Sequence, residues 1–365
     1  MAVETLPLFE EYSRLKERIP HVPLIQQTEV QHLKSLGQVL DISNLYIKRD
    51  DLSTELYGGN KPRKLEFVLG DALAKKKSSV LTIGGTGSNH CLATAIFANK
   101  LGLKPVLILF NQPVTADVQK KLLVFQSLDA ELLGPYSEMW GLLHYLVFRR
   151  FRKSTYFIPG GGSSPLGVVG FVNAAFELKR QIDAGIPKPD YIFVTCGSLG
   201  TMAGLLLGCK LVGLDLEIIG VRVVPSLFSL YNWTFSFANA VRKLANKTLK
   251  LLRKYDESIP KVKLQRKPHV LDEFYGGEYG RITPEGVEAL ELMKKYENIT
   301  LDTTYTAKCF AGLIDFFKTR NIKDEIILFW NTYNSIDYSH LKKSQITYRD
   351  LPKSFHCLFK TNLLL

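Results

Sequence analysis

Gly58-Gly59-Asn60-Lys61-Pro62-Arg63-Lys64-Leu65-Glu66-Phe67 reads as a loop handing over to a helix. Two adjacent glycines break the preceding element and permit backbone angles or close approaches that a Cβ forbids. Asn60 reads as an N-cap, its side-chain oxygen accepting a backbone N–H of the first turn. Pro62 then falls inside that turn, where its missing N–H removes no intrahelical bond. Leu65, Val68, Leu69 and Leu73 share one face at helical spacing, and the helix is expected to run to about Lys77. Lys61 and Lys64 thus stand at a helix N-terminus, where the dipole disfavours a cation by roughly a few tenths of a kcal/mol. The same end favours an anion such as a phosphate and helps lower the pKa of an amine. Two solvent-facing lysines beside a capping Asn are the plain alternative.

Outward from this stretch, short apolar strands alternate with helices. Residues 5–19 read as a charged amphipathic helix stopped by Pro20 and Pro23, and Leu45–Lys48 as a strand. Ser78–Ile83, Pro105–Phe110, Glu131–Leu133 and Thr155–Ile158 follow as strands, with helices between them, among them 91–101 and one from about Val114. Residues 141–153 read as a buried helix with a basic end. Tyr191–Thr195, Leu216–Val224 and Glu325–Trp330 are the later strands. This alternation indicates α/β architecture with parallel sheets covered on both faces. Linkers and repeats are absent, so two domains would be closely joined, with a cleft between them as ligand site.

The 365 residues are enough for one large or two moderate domains. A hydrophobic content of 46% and a charged content of 22% are those of a soluble globular protein. The net charge of +12 is concentrated: residues 241–268 hold ten Lys or Arg, including Arg266 and Lys267. Apolar residues recur there at helical spacing, which points to an amphipathic helix with a solvated basic face. No nucleic-acid motif accompanies it. The five cysteines show no zinc spacing and no disulfide framework, which fits a reducing, cytoplasmic setting. No basic-then-apolar leader opens the chain, and no apolar run is long enough to span a bilayer. Neither nucleic acid nor membrane is expected as a partner.

Gly197-Ser198-Leu199-Gly200-Thr201 follows a strand and enters a helix, a place where backbone N–H groups can form an anion nest. Its spacing fits neither the dinucleotide fingerprint nor the nucleotide P-loop, and suits a single phosphate. A simple glycine turn is the alternative. Gly84–His90 is a second glycine loop before a helix, where Ser88-Asn89 could serve only as caps. Gly277-Glu278-Tyr279-Gly280 and Thr303-Thr304-Tyr305-Thr306 stand out in the last third, although a buried tyrosine often just finds a hydrogen-bond partner.

In order and content these pieces resemble the D-cysteine desulfhydrase and 1-aminocyclopropane-1-carboxylate deaminase family, from about residue 20 to about 335. The resemblance implies a two-domain tryptophan-synthase-β-like fold (fold type II), each domain an open, mostly parallel sheet flanked by helices. It implies pyridoxal 5′-phosphate as cofactor, a small amino acid as substrate, and a homodimer. The smaller domain is expected at 62–170, the larger from 1–61 and 171–365. By the same resemblance Lys61 forms the Schiff base and moves the substrate α-proton. Lys64 and Gly197–Thr201 hold the phosphate, and Asn89 partners the ring hydroxyl. Ser88, Tyr279 and Tyr305 match active-site residues, and Thr306 falls near the pyridine nitrogen. Ser88, Asn89, His90 and Thr332 are expected to meet the substrate.

Thr306 bears on the reaction. The cyclopropane deaminases have Glu after the second tyrosine, whereas the desulfhydrases have a small hydroxyl residue there and another at the position of Thr332. A neutral hydroxyl keeps the ring a weaker electron sink. The resemblance therefore implies β-elimination from D-cysteine to pyruvate, ammonia and sulfide, with deamination of another small amino acid, or cofactor binding with little turnover, as alternatives. Thr86-Gly87 and Asn331, Tyr333-Asn334 depart from the family pattern, and side chains there are expected to reshape the pocket.

Overall fold

The computed structural model describes residues 6–224, 237–264, 268–320 and 324–360. Helices α1 (Pro7–Glu11) and α2 (Arg14–Arg18) come first, then β1 (Val30–His32), α3 (Lys34–Leu40), β2 (Leu45–Lys48) and α4 (Asn60–Ala74). Alternation follows through β3 (Ser79–Gly85), α5 (Asn89–Lys100), β4 (Lys104–Phe110), α6 (Ala116–Ser127), β5 (Glu131–Tyr136), α7 (Glu138–Phe151), β6 (Thr155–Phe157) and α8 (Pro165–Asp183). The second half contains β7 (Tyr191–Cys196), α9 (Gly200–Leu211), β8 (Glu217–Arg222), α10 (Phe237–Tyr255) and β9 (His269–Leu271), then α11 (Pro284–Glu297), α12 (Thr306–Arg320) and β10 (Ile327–Trp330).

These strands form two sheets. One has the order β5-β4-β3-β6, with every pair parallel. The other has the order β1-β2-β10-β7-β8-β9 and is parallel except for β1 against β2. The α/β class and mostly parallel sheets expected from the alternation are thus present. In the larger sheet β10 lies between β2 and β7, so the loops after β7 and β10 leave neighbouring carboxyl ends. Such a point in a parallel sheet opens a crevice for a ligand.

Local differences from the sequence reading have physical causes. The 5–19 stretch is two short helices, because Tyr12 leaves the helical backbone and sets its ring edge-on to Phe176. Helix α10 buries Val241, Ala245, Leu249 and Leu252 and turns its basic residues outward, as its pattern predicts; Arg266 and Lys267 lie outside the described residues. The reading of 141–153 as a buried helix is wrong. Only Gly141 and Tyr145 of α7 are buried, while Met139 is 73% and Phe151 75% exposed. That helix covers one face of β3–β5, and its far side carries apolar residues uncovered within the described chain.

After β10 the chain crosses back to the four-stranded sheet. Tyr338, Leu351, Phe355 and Leu358 are buried in the same cluster as Leu92, Val118 and Phe125 of α5 and α6. Among the described residues no helix is long and apolar enough to cross a membrane.

Candidate active site

Helix α4 is anchored from below. Arg63 is fully buried and bonds Asp50 at 2.7 Å and Glu177 at 2.8 Å, while Lys48 reaches Glu177 at 2.6 Å and the Trp330 indole donates to Asp50 at 2.7 Å. Burial pushes the Glu177 carboxyl up, but Arg63 and Lys48 outweigh it and hold its pKa at about 2. Breaking such a buried pair would leave a charge without a partner, so the network fixes the rotation of the helix. With Arg63 pointing into it, Lys61 and Lys64 are left to face the crevice.

Asn60 is not the cap expected. The N-cap position is Gly59, whose φ of +89° suits a residue without Cβ, and a Cβ there would lie 2.8 Å from the Thr332 carbonyl oxygen. Asn60 is the first helical residue; its Nδ2 donates to the Thr201 hydroxyl at 2.9 Å and its Oδ1 accepts from Lys61 at 2.5 Å. Thr332 joins the site through its backbone, accepting from Asn60 N–H at 3.2 Å. Burial brings the Lys61 amine down to about 8, against the opposing pull of Asp302.

Lys64 is 1% exposed, and its Nζ has no hydrogen-bond partner. Burial, reinforced by Lys61, pushes its pKa well below the usual lysine value. An amine so placed is costly to charge without a partner, and an anion beside it would repay that cost. Around it lie Gly162 and Gly200, at both of which an added Cβ would sit 3.4 Å from the Lys64 side chain. Ser163 bonds the Ser198 hydroxyl at 2.9 Å and accepts the Gly200 N–H at 3.2 Å, while Leu199 takes a left-handed φ of +72°. Gly197–Thr201 and Lys64 are therefore brought together as a small, donor-rich cradle. Ser163 was missed in the sequence, although it directly follows the prominent Gly160-Gly161-Gly162.

On the facing wall, Ser88 caps α5, its Oγ accepting the Cys91 N–H at 3.3 Å. Asn89 follows, its Oδ1 accepting from Lys121 at 2.6 Å and from the Tyr57 hydroxyl at 3.3 Å. With the oxygen so occupied, the amide Nδ2 is the group left to donate elsewhere. Lys121 is 3% exposed and also reaches the Gly87 carbonyl at 3.1 Å. A lysine on the apolar stripe Val118–Leu122–Phe125 was a readable signal that it has a polar partner inside. His90 pairs its Nε2 with Thr82 at 2.9 Å, and burial, with Lys61 and Lys64 nearby, pushes its pKa well below the usual histidine value.

Tyr279 and Tyr305 share a hydrogen bond between their hydroxyls, and Lys61 Nζ stands 5.9 Å from the Tyr305 ring centre. Burial pushes Tyr279 up to about 12 and Tyr305 well above its usual value, so both hold their protons at neutral pH. Thr306 is fully buried beside them, but its hydroxyl donates to Asp302 at 2.8 Å and accepts the Asp302 N–H at 2.9 Å. Asp302 thus caps the start of α12 and controls the Thr306 proton, a role the spacing Asp302-x-x-x-Thr306 could have suggested. Of the departures, Asn334 accepts the Gly58 N–H at 2.6 Å and so clamps the loop. A Cβ at Gly87 would meet Val118 at 2.7 Å, and the Thr86 hydroxyl is buried without a partner.

Lys61 with its lowered pKa, the buried Lys64 amine without a partner and a glycine-lined cradle fit a phosphate-bearing aldehyde. Comparison with known proteins agrees. A family profile described as "Pyridoxal-phosphate dependent enzyme" matches residues 22–332. A D-cysteine desulfhydrase of Salmonella choleraesuis is 33% identical over 86% of this chain and 94% of its own length. A Pyrococcus abyssi protein with a provisional 1-aminocyclopropane-1-carboxylate deaminase name is 35% identical over 86% of this chain and 91% of its own. The crystal structure of an ACC deaminase homologue matches with a TM-score of 0.75 and 32% identity, covering 90% of this chain and 95% of that one.

Proposed function

The chain belongs to the pyridoxal-phosphate-dependent enzyme family, and from that premise we propose that it is a lyase that eliminates the β-substituent of a small D-amino acid, with D-cysteine as the leading substrate. When bound, the cofactor supplies an electron sink that makes the substrate α-proton removable. Lys61 holds the cofactor aldehyde covalently, then takes the α-proton on Nζ; its pKa of about 8 makes the neutral amine accessible near physiological pH. Lys64 and the Gly197–Thr201 backbone bind the phosphate, and Asn89 Nδ2 orients the ring. Ser88 binds the substrate carboxylate. Tyr279 and Tyr305, protonated and hydrogen-bonded to each other, give a proton to the departing sulfur. Sulfide leaves, and the released aminoacrylate hydrolyses to pyruvate and ammonia.

The observation that carries the choice of reaction is Thr306: a buried neutral hydroxyl whose one proton goes to Asp302, with no carboxylate of its own. The second reading, deamination of the cyclopropane amino acid, draws on the names of the Pyrococcus and crystallised relatives. We take the cytoplasm as compartment and the homodimer as the working unit. We place 62–170 in the smaller domain together with 338–359, which packs on it, and 1–61 with the rest of 171–365 in the larger. The test is turnover by the cofactor-loaded protein. Sulfide and pyruvate from D-cysteine, with little from L-cysteine, support the proposal. Ammonia from the cyclopropane substrate without sulfide from D-cysteine would move the assignment to the second reading.

A further inference from the structure

Asn89 Oδ1 takes two donors, Lys121 Nζ at 2.6 Å and the Tyr57 hydroxyl at 3.3 Å. Both lone pairs of the amide oxygen are then in use, and a flipped amide would set its own N–H groups against two donors. The direction of Nδ2 is thus decided by whatever holds Lys121 and Tyr57. One residue reaches both. The Tyr338 hydroxyl donates to Asp117 Oδ1 at 2.6 Å, and Asp117 Oδ2 pairs with Lys121 at 2.5 Å. The Tyr338 ring meets the Tyr57 ring edge-on, with centroids 5.7 Å apart. Tyr338 lies beyond residue 332, the last that the family profile matches. We propose that Tyr338 is a positioning residue for the cofactor, fixing the two donors that aim Asn89 Nδ2 at the ring. This rests on the reading of Asn89 as the ring's partner, and it gives the segment after β10 a part in the site.

Each link of this chain is held. Lys121 is 3% exposed, and its three protons go to Asp117, Asn89 and the Gly87 carbonyl, so none is left for water. Burial raises the Asp117 carboxyl, but Lys121 and the Tyr338 hydroxyl outweigh it and keep it below its usual range. Tyr338 is 5% exposed, and burial, with Asp117 beside it, pushes its hydroxyl up, so it remains the donor. The turn before it sets its approach. Asn334 Oδ1 accepts the N–H of Gly58 at 2.6 Å and of Ile336 at 3.1 Å, and Ser335 N–H reaches the Asp51 carbonyl at 3.1 Å. The segment therefore leaves the loop before α4 and lands on α5 and α6, where Asn89, Asp117 and Lys121 stand. With Asp117 released, Lys121 would be a buried ammonium short of its counter-charge, no longer fixed on Asn89.

Cofactor titration and visible absorption of the loaded full chain test the proposal. Tyr338→Phe keeps the ring and removes only the bond to Asp117. It is expected to weaken cofactor binding about threefold, the worth of one hydrogen bond. It should also shift the visible maximum in the same direction as Lys121→Met, with the near-ultraviolet circular dichroism of the apo-protein unchanged. Asp117→Asn should reproduce both effects. Because the hydroxyl acts through Lys121, adding Tyr338→Phe to Lys121→Met should bring no further loss. A Tyr338→Phe protein with unchanged affinity and spectrum, or a full additional loss on top of Lys121→Met, would overturn the role of Tyr338. Asn89→Leu separates the two readings. If it moves affinity and spectrum while Tyr338→Phe does not, only the role of Tyr338 falls; if it moves neither, the placing of Asn89 falls and that of Tyr338 with it.

Discussion

Asn60 Nδ2 donates to the Thr201 hydroxyl at 2.9 Å, tying the start of the lysine-bearing helix to the end of the glycine cradle. The bond joins residues 141 positions apart, on elements that follow β2 and β7. It fixes Lys61 and Lys64 relative to Gly197–Thr201, so the covalent and the phosphate-binding ends of the site move as one unit.

Lys64→Met separates stability from cofactor affinity. It removes a buried amine that has no hydrogen-bond partner in the protein, so the apo-protein is predicted to melt at an equal or higher temperature. The phosphate loses a charge-assisted hydrogen bond worth roughly 1.5–3 kcal/mol, about ten- to a hundredfold in cofactor Kd. Calorimetric melting with and without cofactor reads both. An apo-protein that melts lower, with Kd unchanged, would remove Lys64 from the phosphate site.

Cofactor capture is predicted to quicken with pH and to level off above about pH 9. Only the neutral amine attacks an aldehyde, and burial sets Lys61 at about 8 where an ordinary lysine is at 10.5. Between these values the unfolded chain binds more protons at this residue than the folded one. The Lys61 contribution to apo-protein stability therefore rises with pH across that window, and below about 8 its penalty is fully present. Lys61→Met should flatten that component. Stopped-flow absorbance against pH measures the capture; a rate still climbing at pH 10 would contradict the lowered pKa.

Lys121→Met tests how Asn89 is held. The lysine occupies Asn89 Oδ1 and leaves Nδ2 facing inward. Losing it is predicted to weaken cofactor binding about tenfold, the equivalent of roughly 1.4 kcal/mol, and to shift the visible absorption maximum. A titration showing unchanged affinity and spectrum would make Lys121 a purely structural residue.

Phe355→Ala examines the segment after β10. Phe355 is fully buried among residues of α5 and α6, and a truncation of this kind costs about 3–5 kcal/mol. Urea unfolding is the measurement. A loss below about 1 kcal/mol would mean that this segment adds little to the core.

The legible parts of the chain were those with local causes. Gly58-Gly59 before a periodic apolar face announces α4, and the apolar runs at 78–83, 105–110 and 191–195 announce the parallel strands β3, β4 and β7. Asn60 was misread because a cap is a local rule, whereas its side chain answers to Thr201 across the fold. Lys121 was overlooked for the same reason, since Asn89 and Gly87 come within its reach only on folding; Asp302 has its partner Thr306 four residues on, a local signal that was passed over. Helix α7 was taken as buried because apolar periodicity reports that a face will be covered, not what covers it. The departures at 333–334 looked like pocket changes, yet Asn334 holds the Gly58 backbone.

The central claim is that Lys61, and not its buried neighbour Lys64, carries the cofactor. Borohydride reduction of the loaded protein, followed by peptide mass spectrometry, tests it directly. The account predicts one added cofactor on Lys61, no addition in Lys61→Ala, and loss of sulfide release from D-cysteine in that variant. Label on Lys64, or none on either lysine in a protein that still turns over, would contradict it.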